Sequence, residues 1–89
     1  MTARSVKIQN ALGLHARAAA RFVQLAGGFE SSVTVICDGE EADGKSILSL
    51  MVLGASIGTT ITIRAEGADE QAALERLEAY VRGKCDEED

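Results

Sequence analysis

His15 is the only histidine in the chain, and it stands in the run Gly13-Leu14-His15-Ala16-Arg17-Ala18-Ala19-Ala20. Imidazole is a nitrogen nucleophile whose charge changes near neutral pH. Its neighbours add to that chemistry. Gly13 permits a tight turn, and the alanines after His15 are strong helix formers, so a helix should begin beside the histidine. The first amides of a helix have no partner within it, and the aligned peptide dipoles place partial positive charge there. An anion is therefore favoured at His15. Arg17, inside the same first turn, adds a forked cation suited to phosphate. The run could seat a phosphoryl group on His15, with the Ala16 and Arg17 amides and the Arg17 guanidinium around it. A lone histidine at a helix start is also compatible with a plain surface or capping residue.

Other chemistry is poorly served. Cys37 and Cys85 are far apart, form no C-x-x-C pair and do not stand at metal-ligand spacing from His15, so neither a zinc site nor any other metal is expected. Two reduced thiols are the expectation. The net charge of −5 and the presence of only Phe22, Phe29 and Tyr80 as aromatics argue against nucleic acid as a partner. No stretch approaches membrane-spanning length and the N-terminus lacks a signal-peptide pattern, so a cytoplasmic protein without membrane insertion is expected. The 89 residues suit one domain spanning 1–89, with an acidic tail at about 84–89.

The elements that must position His15 can be read in order. Ser5–Gln9 alternates as a strand with Val6 and Ile8 inward. A loop over 10–14 delivers His15, and a helix runs from Ala16 to about Leu25 or Ala26, with Ala19, Phe22, Val23 and Ala26 as its apolar stripe. Arg17, Arg21 and Gln24 share its other face, which suits an ordinary solvated face as well as a docking one. Gly27-Gly28 stops the helix. Ser32–Cys37 is a strand, Asp38-Gly39 a hairpin turn and Glu40–Asp43 a charged edge strand. Ser46 is a good N-cap for a short helix over Ile47–Leu53. That helix is apolar nearly all round. Leu50 and Leu53 should face the core, leaving Ile47, Leu48 and Met51 as core or as an exposed patch. Thr59–Glu66 is a strand with Ile61, Ile63 and Ala65 inward. Asp69 should cap a final helix, Glu70–Arg82, which buries Ala73, Leu74, Leu77 and Val81. The order βαββαβα predicts an α+β fold, a four-stranded sheet with helices on one face; a ferredoxin-like arrangement has the same class of ingredients.

Two blocks together resemble a known family. Gly13-Leu14-His15-Ala16-Arg17-Ala18-Ala19 is similar to the active-site signature of HPr, the histidine-containing phosphocarrier of bacterial phosphoenolpyruvate-dependent phosphotransferase systems. Gly44-Lys45-Ser46-Ile47-Leu48-Ser49-Leu50-Met51 resembles that family's regulatory-serine segment, and the resemblance covers essentially the whole chain. It departs at Ala18, where the family often has proline; this chain has none. Alanine should preserve a helix first turn as well as proline does. The alanine form looks like nitrogen-related or otherwise regulatory members, which bears on the pathway served and not on phosphoryl carriage.

The resemblance implies an open-faced sandwich with an antiparallel sheet in the order 1-4-2-3 and three helices on one side. It implies a carrier and not an enzyme, with no cofactor. His15 would accept a phosphoryl group at Nδ1 from enzyme I and pass it to a IIA-type domain. Ser46 would be a regulatory phosphorylation site for HPr kinase/phosphorylase. Partners would dock on Ala20, Arg21, Gln24, Ile47, Leu48 and Met51, and the carrier would act as a monomer. Two rival readings are an interaction module that has kept the fold, and an acyl-carrier-like protein using Ser46. The strand patterns oppose the second, since acyl carriers are helical bundles.

Overall fold

The structure is a computed structural model in which residues 1–86 are described; the end of the acidic tail, 87–89, lies outside them. The elements are β1 (Thr2–Lys7), α1 (Ala16–Gly27), β2 (Ser32–Cys37), β3 (Glu40–Asp43), α2 (Ile47–Leu53), β4 (Thr60–Glu66) and α3 (Glu70–Arg82), followed by a short 3-10 turn at Lys84–Asp86. The strands form one antiparallel sheet in the order β1-β4-β2-β3. The ferredoxin-like alternative is thereby excluded.

β4 is central because its apolar residues meet partners on both sides. Ile61 lies opposite Val6, Ile63 lies between Arg4 and Val35, and Ala65 lies between Thr2 and Val33. Ile61, Ile63 and Ala65 all face inward and are fully buried. α3 packs across β1 and β4, α2 lies against β3, and α1 packs on both other helices. The core beneath them is built from Phe22, Leu50, Leu74, Leu77, Val81 and the inward residues of the sheet. Charged β3 is the sheet edge, as its sequence requires. The Asp38-Gly39 turn takes positive φ at both residues, +52° and +82°, the geometry of a two-residue hairpin loop.

Several details differ from the sequence expectation, among them the start of β4 at Thr60 in place of Thr59. β1 begins at Thr2, not Ser5. Thr2 and Arg4 occupy the inward-alternating positions normally filled by apolar residues, because α3 offers them carboxylates: Arg4 Nη1 donates to Glu78 Oε1 at 2.9 Å and the Thr2 hydroxyl donates to Glu70. β1 also ends at Lys7, although Ile8 continues the ladder through its amide to the Thr59 carbonyl at 2.8 Å. Asp69 sits at the N-cap position of α3 but makes no capping bond. Its carboxylate instead accepts the Glu30 and Ser31 amides, each at 2.9 Å, and the Ser31 hydroxyl. Gly27 is the last helical residue of α1, and Gly28 caps it at φ −78°, with no left-handed turn.

Candidate functional site at the head of the first helix

The loop before α1 is stitched at every step. The Gly13 amide donates to the Asn10 carbonyl at 3.1 Å, and Asn10 Nδ2 donates back to the Gly13 carbonyl at 2.7 Å. Gly13 has φ +62°, and a Cβ there would stand 2.5 Å from the Ala55 carbonyl oxygen. Only glycine lets the two loops approach so closely in that conformation. The Leu14 amide then donates to that same Ala55 carbonyl at 2.9 Å, and the Leu14 side chain is buried.

This anchoring delivers His15 to the N-cap of α1. Its backbone is extended (φ −74°, ψ 178°), and its carbonyl accepts the Ala19 amide at 2.8 Å, the first bond of the helix. The half-buried side chain makes no capping bond to the helix amides. Ala16 and Arg17 follow, both exposed, while Ala18 and Ala19 are buried and lock the first turn to the core. The helix therefore starts intact with alanine in place of proline at position 18.

α2 runs antiparallel to α1. At one end Lys45 Nζ donates to the Phe29 carbonyl at 2.8 Å, just past the C-terminus of α1; at the other, Ala55 meets the loop leading to His15. Ser46 is the N-cap of α2, and its hydroxyl accepts the Ser49 amide at 3.2 Å. At 1.5 Å per residue, the length of α2 puts Ser46 about 10 Å along that helix from the end that touches the His15 loop.

Leu50 is fully buried and Leu53 packs half-buried against the core, while Ile47, Leu48 and Met51 are exposed, Leu48 at 73%. Ala20, Arg21 and Gln24 are exposed on α1, with Arg21 Nη1 donating to Gln24 Oε1 at 2.8 Å. The two helices pack together. Sequence reasoning did not single out three further exposed apolar side chains, Leu12, Val52 and Ile57, all more than half exposed. Val52 belongs to the same apolar helix and was within reach of sequence analysis. Leu12 and Ile57 lie in loops, where no periodic pattern marks an exposed apolar side chain.

The cysteines stand apart from this chemistry. Both are buried and neither forms a disulfide. Burial pushes the Cys37 thiol up, and the neighbouring Asp38 carboxylate adds to the effect. Among the described residues, no group of three His, Cys, Asp or Glu side chains converges as a metal site would, and no helix is long and apolar enough to cross a membrane.

Comparison with known proteins agrees with this geometry. A family model described as the PTS HPr component phosphorylation site matches residues 2–83. The phosphocarrier protein HPr of Cupriavidus necator is 45% identical over 87 residues, covering 98% of each chain. A crystal structure of HPr from Thermoanaerobacter tengcongensis superposes with a TM-score of 0.94 at 41% identity, over 99% of both chains. The Bacillus subtilis protein Crh, solved as a domain-swapped dimer, superposes with a TM-score of 0.76 at 46% identity, over 94% of this chain and 97% of that one. A match of this length, at this identity and on this backbone, means that the chain belongs to the HPr family, whose members are phosphocarriers and not enzymes.

Proposed function

We propose that this chain carries a phosphoryl group on His15, taking it from enzyme I and passing it to a IIA-type domain in the cytoplasm. The observation that carries this reading is the position of His15: an imidazole at the head of a twelve-residue helix, followed at once by the exposed Ala16 and Arg17. In the proposed transfer the lone pair of the neutral ring, at Nδ1 by family resemblance, forms the new N–P bond. The donor's bond to phosphorus breaks in line, and its electron pair stays with the donor. Phosphoryl transfer of this kind depends on positioning and charge stabilisation. The amides of Ala16 and Arg17 and the Arg17 guanidinium supply both without a metal. Ala20, Arg21, Gln24, Ile47, Leu48 and Met51 form the docking face for each partner in turn, and Ser46 is the site at which HPr kinase/phosphorylase regulates docking.

Incubation with phosphoenolpyruvate and enzyme I tests the central claim. The wild type gains one acid-labile phosphate by intact mass and His15→Ala gains none. Phosphate retained by His15→Ala, or found on Ser46 alone, removes the assignment. A pantetheine-sized mass addition on Ser46 favours the acyl-carrier reading instead.

A further inference from the structure

Asn10 and Ser31 are the two polar side chains buried to about 1% exposure among the described residues, and the two are spent differently. Ser31 serves Asp69 at the start of α3. Asn10 lies five residues before His15, in the loop that delivers it.

The peptide unit joining Gly13 to Leu14 is held at both ends. Its carbonyl oxygen accepts from Asn10 Nδ2 at 2.7 Å, and its N–H donates to the Ala55 carbonyl at 2.9 Å. A peptide unit is planar, so gripping both edges fixes its orientation. The next backbone torsions lead directly to His15. Burying a carboxamide is unfavourable unless its hydrogen bonds compensate, and an apolar side chain of similar volume would fill the same space without that cost. What an apolar side chain could not do is hold the Gly13 carbonyl.

We propose that Asn10 is a positioning residue for phosphoryl transfer: its buried carboxamide, opposite the Ala55 carbonyl, clamps the Gly13–Leu14 peptide and so sets the aim of the His15 imidazole over the first amides of α1. The inference rests on the His15 reading above. Asn10 is buried and so is not available to touch a docked partner. Its loss therefore acts on the transfer step and leaves docking unchanged. Small misplacements of a reacting group are costly in rate because the attack geometry is lost.

The test uses Asn10→Ala, which deletes the donor, and Asn10→Asp, which keeps the shape but replaces the donor with an acceptor. Asp69→Asn serves as a control that weakens the fold at the opposite end of the sheet. Transfer from phosphorylated enzyme I is followed while the carrier concentration is varied. Both Asn10 variants show kcat lowered by about tenfold or more with KM unchanged. Asp69→Asn keeps the wild-type kcat although it melts at a lower temperature. The ring-nitrogen NMR signals of His15 shift in the Asn10 variants and not in the control. To keep the variants native, the assays are run cold and repeated with a stabilising osmolyte. The proposal is overturned by kcat close to wild type in folded Asn10 variants. A comparable fall in Asp69→Asn, or full recovery of kcat on adding osmolyte, overturns it too, because either would mean that the residue only stabilises the fold. If the wild type itself takes no acid-labile phosphate, the His15 reading fails first and this one with it; a wild type that accepts phosphate isolates the result to Asn10.

Discussion

Asp69 stands where a helix cap belongs, yet its carboxylate turns toward the loop before β2. The Ser31 hydroxyl, then the Glu30 and Ser31 amides, hold that carboxyl below the ordinary aspartate range. The ionised form is thus favoured in the folded chain, so the contribution to stability is complete above the unfolded-state value of about 3.9 and is lost as pH falls through the lower folded value. Glu70 and Glu78 are lowered in the same direction, the first chiefly by Thr2 and the second chiefly by Arg4. Asp69→Asn should therefore be less stable than wild type at neutral pH, with the gap closing in acid; denaturant titrations across that range check it, and a constant gap would mean the carboxylate charge is irrelevant. The residue type at 69 was legible as a capping residue, but its true partners lie 38 and 39 positions away, and no local rule reaches them. The placement of His15 and Arg17 at the start of a helix was legible because helix-start signals are local. The clamp formed by Asn10 was not, since it is completed by a carbonyl at position 55.

At the scale of elements, α1 and α2 form an antiparallel pair whose opposite ends carry the two proposed modification sites. Ser46 is displaced from the His15 end by about the length of α2, roughly 10 Å, comparable to the Debye length in physiological salt. A negative charge on Ser46 thus acts mainly on whatever docks over Ile47 and Leu48, both exposed beside it. Ser46→Asp should lower kcat/KM for transfer from enzyme I by about tenfold, mostly through KM, as expected for a misplaced like charge at an interface. An unchanged KM would remove the regulatory role. Helix α2 itself was legible, including Ser46 as its cap and Leu50 as its inward residue, because seven apolar-rich residues between Ser46 and Gly54 leave few alternatives. The start of β1 was not legible, because Thr2 and Arg4 face inward only by virtue of Glu70 and Glu78 on a helix at the other end of the sequence.

At the scale of the whole molecule, the strand order came from resemblance; periodicity alone supplied the alternation of strands and helices but not their neighbours. The related Crh exchanges a segment between the copies of its dimer. Here β1 pairs along its full length with β4 of the same chain and is tied to α3 by Arg4 and Thr2. We expect the protein to sediment as a 9.4 kDa monomer at micromolar concentration, and a stable dimer under those conditions would refute this.

Ile47, Leu48, Met51 and Val52 leave α2 with exposed apolar side chains, and α2 packs on α1. Under the proposed docking, one landing place serves both visitors, so the molecule cannot bridge them and must shuttle between them. Each occupant would then exclude the other, so an overabundant acceptor would queue at the same berth as the donor and slow the very traffic it draws upon.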